Sequence, residues 1–353
     1  MKASFEFCGW ELLYQPLIIF PLLAWREGAK ISGILKFSDI FGCMGGINIS
    51  RYILRRILSG LITLFVVITI TFFMMRAIPG GPFTDAKAIP EFVAQKMSER
   101  YGLNDPVYVQ YMRYLSGILR LDLGPSYRYE GMTVNEIIAD SFPVSCAVGG
   151  LALLFSLMAG IPAGVISALK RGKWQDRLAM VLATVGVTVP SFVVASLLVY
   201  VLAMRLGWVN VGFWDGISTA WLPALTLALY PAAFISRLVR SGMLEVLGQD
   251  YIRTAYAKGL SERRVIYLHA LKNAVIPVIT YLGPLTAGIL TGSFVIEQVY
   301  GVPGLGTFFV TSISNRDYTT IMGVTIFYSA ILVAFNTAAD ICLSFADPRI
   351  KLR

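Results

Sequence analysis

The sequence predicts an all-α polytopic membrane protein with six transmembrane helices, and two observations carry this prediction. Hydrophobic residues make up 56% of the chain and charged residues 14%, whereas a soluble domain usually has about 25% charged residues. The apolar residues are also grouped in blocks close to the ~20 residues that cross a bilayer core. We divide the chain into an amino-terminal extension, 1–48, with no assigned role, and a membrane domain, 49–353.

Six apolar blocks are long enough to be candidate spans. They are 57–78, 147–169, 178–204, 220–235, 275–296 and 321–345. The fourth block is the weakest because it is short and contains Pro223 and Pro231, although proline is tolerated in a span when neighbouring helices satisfy the freed backbone groups. In the second block, Gly160, Gly164 and Ala168 recur at four-residue spacing, which allows close helix packing in lipid.

The basic residues predict that both ends of the membrane domain are cytoplasmic. In this orientation the inside segments hold seventeen lysines and arginines and the outside segments hold nine. Seven of those nine lie in or beside one long outside loop, and long loops follow the positive-inside rule only loosely. The net charge of +9 therefore reflects membrane topology, and it does not indicate a nucleic-acid-binding domain.

The first outside loop, 79–142, contains elements of its own. It opens with Pro79, Gly80, Gly81 and Pro82, which predict a turn. Further on, Asn104, Asp105 and Pro106 predict a helix start with proline at the first position, followed by helical apolar spacing over 107–119. This loop is either a solvated cap over the membrane domain or a surface that receives an external partner.

A long polar loop, 237–273, interrupts the apolar sequence on the predicted cytoplasmic side. A loop of more than ~15 residues with its own helical pattern is more often functional than a plain connector. We predict two short helices with a hinge at Gly259, where glycine can adopt the left-handed conformation that ends a helix. Ser261 is placed to cap the second helix. Tyr251, Thr254, Ala255 and Lys258 share one face of the first helix, and small Ala255 and Ala257 would let another protein approach.

The last outside stretch, 297–306, combines an acid with a tight bend. Glu297 stands at the predicted membrane edge, and the bend that follows is rich in glycine and proline, including Pro303, Gly304 and Gly306. An ionisable group near a span suggests a gate or a translocation path, while a structural capping role is the alternative.

The stretch from Tyr251 to Pro277 resembles the EAA loop of ABC-importer permeases, in the form found in peptide and nickel importers. The basic run Arg51–Arg56, the Pro-Gly-Gly-Pro turn, and Glu297 followed by Pro303–Gly306 agree with it. Ser141–Ser145 and the long outside loop are most similar to the B-type permease subunit of oligopeptide importers. Arg253, Thr254 and Ala255 occupy the Glu-Ala-Ala positions, so the salt bridge of the family's acid cannot be carried over.

The resemblance implies a set of partners and a location. A second permease subunit would complete a heterodimer, two ATPase subunits would use ATP and Mg²⁺, and an extracytoplasmic binding protein would deliver peptide in the cytoplasmic membrane of a prokaryote. The resemblance also implies coupling helices that would sit in a cleft on each ATPase. The residues expected to form them are Tyr251, Arg253, Thr254, Ala255, Ala257, Lys258, Gly259, Leu260 and Ser261. The other contacts expected are with membrane lipid.

Other functional classes lack the residues they need. The sequence has no Gly-x-x-x-x-Gly-Lys-[Ser/Thr] phosphate loop, and it shows no catalytic set. His269, the only histidine, has no partners at metal-ligand spacing, so no metal or cofactor is expected on this chain. A stand-alone secondary transporter would need buried ionisable residues in its spans, and Asp340 is the nearest candidate. A dipeptide, nickel or haem importer of the same family remains an alternative.

Residues 1–48 contain a broken apolar stretch that is a poor signal peptide, since acidic residues intrude and Lys2 is the only early base. We hypothesise that the native start lies near Met44, which mass spectrometry of the amino terminus would decide.

Overall fold

The computed structural model describes residues 49–78, 95–96, 98–99, 101–291 and 293–346, with side chains described from residue 54 to residue 341 of those ranges. Three predictions therefore fall outside the described residues. They concern the extension 1–48, the turn at Pro79–Pro82 and the basic residues after position 346.

The described chain is built from helices, and its extended pairing is limited to one isolated bridge between Pro125 and Thr133. This confirms the predicted all-α class. The helices are α1 Ile49–Ala77, α2 Val107–Leu119, α3 Val134–Leu169, α4 Trp174–Thr188, α5 Ser191–Arg205, α6 Ile217–Leu247, α7 Asp250–Ala257, α8 Glu262–Ala274, α9 Ile276–Leu290, α10 Phe294–Tyr300, α11 Leu305–Ser314 and α12 Tyr318–Ala346.

Four helices, α1, α3, α6 and α12, are each long and apolar enough to cross a membrane. The other two predicted spans are bent pairs, α4 with α5 at 100° and α8 with α9 at 50°. The predicted span over 178–204 is therefore divided by a sharp bend. Its cause is Pro190, which has no amide to donate and pushes the preceding Val189 into an extended conformation, φ −79° and ψ 123°.

The fourth predicted span is longer than its apolar block suggested. Helix α6 runs on to Leu247 with Pro223 and Pro231 inside it, so the segment between helices is shorter than the predicted loop 237–273. Both prolines are buried, because α6 is the central helix of the largest core cluster and packs most extensively against α3. Neighbouring helices therefore surround the sites where backbone hydrogen bonds are lost.

The contact between α3 and α6 depends on glycines that the sequence singled out. A Cβ placed at Gly164 would lie 2.6 Å from both the carbonyl oxygen of Ser236 and the Cβ of Val239. At Gly160 it would lie 2.8 Å from the carbonyl oxygen of Ala232. The two backbones are thus close enough that no larger residue fits, as expected for small residues at four-residue spacing.

Gly164→Val is expected to prevent this packing, because overpacking a well-filled contact costs about 1–3 kcal/mol and a backbone contact cannot yield easily. The matched control is Gly150→Val on the same helix, where an added Cβ meets no atom within 4 Å. Folded protein in isolated membranes, measured by size-exclusion chromatography after solubilisation, should fall sharply in the first variant only. Equal recovery of the two variants would contradict the tight contact.

The segment between α1 and α3, which we call the outer segment after its predicted location, contains a helix and a capping motif in its described part, 101–133. The predicted helix forms as α2, with Pro106 at the N-cap position and not at the first helical position. Helix α3 begins at Val134, well before the predicted start at 147, because Thr133 and Glu136 form a reciprocal capping box.

Buried Asp317 fastens the segment between α2 and α3 to the start of α12. Its carboxylate accepts hydrogen bonds from the amide of Tyr127, at 3.1 Å, and from the hydroxyls of Ser126 and Thr320. The bonds from Ser126 and Tyr127 join residues that are almost two hundred positions apart and position the outer segment against the bundle.

Candidate functional site

Helix α7 holds the first group of predicted site residues, and it is anchored on one side. Ile252 and Ala255 are buried in the main core cluster. The hydroxyl of Tyr251 accepts a hydrogen bond from Nδ2 of Asn273 at 2.8 Å, which ties α7 to α8. The helix is therefore held by the bundle while its opposite side stays exposed.

The exposed side of α7 differs from the predicted face at one residue. Tyr251, Arg253, Thr254, Ala257 and Lys258 are exposed as a contact surface requires. Ala255 is buried, so the prediction that it lets another protein approach is wrong. Its small side chain instead lets α7 lie close to its own core, because Ile252 and Ala255 are three residues apart and share the inner face.

Gly259 ends α7 in the predicted left-handed conformation, with φ +77°. The amide of Gly259 donates to the carbonyl of Tyr256 at 2.9 Å, and the amide of Leu260 donates to the carbonyl of Ala255 at 3.4 Å. These two bonds form a Schellman motif, which needs a residue that tolerates positive φ. An added Cβ at Gly259 would meet no atom within 4 Å, so conformation alone explains the glycine.

The second short helix starts where the sequence placed it. Ser261 occupies the N-cap position of α8, but its side chain makes no capping hydrogen bond. Val265 and Ile266 are buried, whereas Tyr267 and Leu268 are about 60% exposed. Helices α7 and α8 therefore both expose side chains, and these include basic, aromatic and aliphatic residues.

An ion pair that the sequence did not indicate connects α4 with α6. Arg240 of α6 donates from Nε to Oδ1 of Asp176, at 2.8 Å, and from Nη2 to Oδ2, at 3.0 Å. The same carboxylate accepts from the amide of Gly172 at 2.9 Å and from the hydroxyl of Ser167. The pair links the turn between α3 and α4 to the helix that leads into α7. The sequence signal that could have indicated this pair is Asp176, the one acidic residue in the basic segment 170–177.

Glu297 holds the second group together, and its bonds are those of a cap. The carboxylate is 1% exposed. It accepts from the hydroxyl of Ser145 at 2.7 Å and from the amides of Gly306 and Thr307 at 2.8 and 3.3 Å. Carboxylates are favoured at a helix N-terminus because the first amides lack partners within the helix. Glu297 thus caps α11 from α10 and joins both to α3.

The glycines in the bend around Pro303 are required because the capping groups Glu297 and Ser145 lie very close to the backbone there. A Cβ at Gly304 would lie 2.6 Å from the hydroxyl oxygen of Ser145, and one at Gly306 would lie 2.8 Å from Oε2 of Glu297. Pro303 is exposed beside them. The structure brings Glu297, Gly304 and Gly306 into one cluster with Ser145, which the sequence had not connected to them.

The two groups lie toward opposite ends of the bundle. Ser145 belongs to the Glu297 cluster and Ser167 to the Asp176 cluster, and both are on α3. Their separation of 22 residues corresponds to about 33 Å along the helix at 1.5 Å per residue. Because α6 carries Arg240 and runs on to Leu247, just before α7, the α7 residues and the Glu297 cluster form two separate groups.

Asp340, the candidate ion site of the sequence analysis, has a partner. Its Oδ2 lies 2.7 Å from Nη2 of Arg56, and the two side chains are 27% and 47% exposed. The pair joins the end of α12 to the start of α1, so the nearest candidate for such an ion site is an acid with a cationic partner.

Comparison with protein families gives two matches along the chain. The model described as binding-protein-dependent transport system inner membrane component matches residues 160–352. The model for the N-terminal part of such membrane components matches residues 49–149. The second match begins where the structure begins to describe helix α1.

Individual relatives are similar over nearly their whole length. The oligopeptide transport system permease protein OppB of Salmonella typhimurium is 46% identical over 303 residues, which are 85% of this chain and 99% of that protein. The dipeptide transport system permease protein DppB of Bacillus subtilis is 44% identical over 86% of this chain and 98% of that protein.

Among solved structures, an inward-facing conformation of the MetNI methionine ABC transporter is similar in fold. Its matching chain has a TM-score of 0.51 and 15% identity, with 60% of this chain and 96% of that chain covered. At this identity the likeness concerns the fold alone.

Proposed function

Since the chain belongs to the family of binding-protein-dependent transport system inner membrane components, we propose that it moves oligopeptides across the cytoplasmic membrane with energy received through α7 and α8. The chain is the permease subunit of a peptide ABC importer and is not an enzyme. The observation that carries the substrate class is the 46% identity to OppB over almost all of that protein. Dipeptides are the second candidate, because DppB of Bacillus subtilis is 44% identical.

The surface of α7 and α8 supports the proposal that ATPase subunits dock there. A docked protein can contact the exposed side of α7 while Ile252 and Ala255 fasten the inner side to the core. The Asp176–Arg240 pair fixes α6, the helix before α7, to the turn between α3 and α4. A displacement of α7 would therefore move several helices together instead of bending one exposed loop.

The remaining parts of the assembly follow from the same family. We propose a second permease subunit, two ATPase subunits that use ATP and Mg²⁺, and an extracytoplasmic binding protein. The charge distribution supports an orientation with both ends of the membrane domain in the cytoplasm. In that orientation α7 and α8 face the ATPases, and the Glu297 cluster lies near the opposite side, where peptide enters.

Uptake measurements in a strain that lacks this chain would test the function. We expect the deletion to abolish accumulation of labelled peptides. Reintroducing the gene should restore accumulation only in cells that also contain an active partner ATPase. Competition by unlabelled dipeptides and by longer peptides then identifies the substrate class. Stronger competition by longer peptides supports oligopeptides, whereas competition by dipeptides alone supports the second candidate. Unchanged peptide uptake in the deletion strain would contradict both.

A further inference from the structure

Helix α2, outside the six spans, has three different faces. Its inner face carries Gln110, Tyr111, Tyr114 and Ile118, which are buried or half-buried. A second face carries Tyr108, Met112 and Leu119, which are 70%, 65% and 86% exposed. With 100° per residue, these three side chains and half-buried Leu115 fall within about 60° of one another. They form an apolar stripe that no other described residue covers.

Contacts of the inner face place α2 beside the outer part of span α1. The hydroxyls of Tyr111 and Thr69 are 2.8 Å apart. The ring of Tyr111 lies 5.2 Å from that of Phe72 and 5.5 Å from that of Phe73. Thr69 precedes the end of the apolar segment Leu54–Ala77 by eight residues, or about 12 Å. One edge of α2 therefore lies at the level of the apolar segment of α1 and not beyond its end.

The third face of α2 is polar and turned the other way. Ser116, Arg113 and Arg120 are exposed, and they lie roughly 60–120° from the centre of the apolar stripe, on the side opposite to Tyr111. Arg113 pairs with Asp105 before the helix. The order around the helix is thus protein, apolar stripe and polar edge, which is the arrangement of a helix lying in a membrane interface.

We propose that α2 is an interfacial helix whose stripe of Tyr108, Met112 and Leu119 enters the lipid at the end of the bundle opposite α7. The stripe continues the apolar surface of α1, where Phe73 and Met74 are exposed, so one lipid layer covers both. Exposed Leu121 follows directly and lengthens the apolar surface. The helix anchors the outer segment and holds it at a fixed depth relative to the lipid surface. This role does not depend on which substrate the importer carries.

Spin labels can test this placement in the assembled importer reconstituted in liposomes. Single-cysteine variants Met112→Cys and Leu119→Cys place a nitroxide on the stripe, and Ser116→Cys and Arg120→Cys are matched controls on the polar edge. The background lacks the four native cysteines and retains uptake. Collision rates are measured with oxygen, which concentrates in lipid, and with a water-soluble nickel chelate.

We expect the ratio of oxygen to nickel collisions to be several-fold higher at the two stripe positions than at the two controls. The substituted side chains are exposed, so their removal leaves the packing of α2 intact. Equal ratios at all four positions would show that the stripe faces water. Low collision rates with both reagents at 112 and 119 would show that a protein covers the stripe. Either of these results overturns the proposal.

Discussion

Replacing Gly259 with valine is expected to reduce peptide uptake to background while the amount of the chain in the membrane stays near normal. The native φ of +77° costs a residue with a Cβ roughly 1–2 kcal/mol, and β-branched valine is among the least tolerant. Because an added Cβ would meet no atom within 4 Å, the strain is local. The valine variant can relieve this strain by changing the conformation of the turn, and the turn sets the direction of α8 relative to α7.

Two control variants separate this effect from general backbone strain. Gly131 also has a positive φ, +80°, with no atom near its missing Cβ, and it lies in the outer segment. Gly131→Val should leave uptake largely intact. Gly259→Asn should retain much of the activity, since asparagine tolerates the left-handed region. Uptake near the wild-type rate in Gly259→Val, at equal membrane level, would count against the coupling role.

Replacing Glu297 with alanine is expected to destabilise the end of the bundle that contains α10 and α11. The change leaves the amides of Gly306 and Thr307 and the hydroxyl of Ser145 without their acceptor. A buried donor that loses its partner costs about 1–3 kcal/mol. The apparent melting temperature of the purified importer should therefore fall clearly.

Glu297→Gln is the matched control because it keeps the shape and one acceptor oxygen, so its melting temperature should fall less. The comparison also separates the two roles that the sequence left open for this acid. A stable Glu297→Ala importer with lost uptake would indicate a gate and contradict the cap. A destabilised one that still transports peptide in proportion to its folded fraction would support the cap.

The described spans show which features local sequence can predict. The apolar blocks predicted both ends of α12 and the last residue of α1 to within about three residues, whereas α1 begins at Ile49, before its block starts at 57. The same criterion stopped the fourth span at 235, although α6 continues to Leu247. The residues after 235 are more polar, so an apolar-composition criterion ends the span there. They remain helical because the stability of a helix in a protein depends mainly on its packing.

The candidate site shows a similar division. Gly259 and the two short helices were predictable, because a left-handed turn that ends a helix needs glycine and this requirement is local. The burial of Ala255 was not predictable, since its periodicity fits either side of α7. The Asp176–Arg240 pair and the Ser145–Glu297 bond join residues 64 and 152 positions apart, and no local pattern specifies such partners.

By itself, the sequence determined the membrane class, the approximate positions of most spans and the family. These properties follow from composition, period and local backbone preference, which act over a few residues. Only the tertiary structure decided the 100° bend between α4 and α5, the capping role of Glu297 and the three faces of α2. Those features depend on which distant groups meet, and the free energy of a buried hydrogen bond or a close helix contact exists only once they have met.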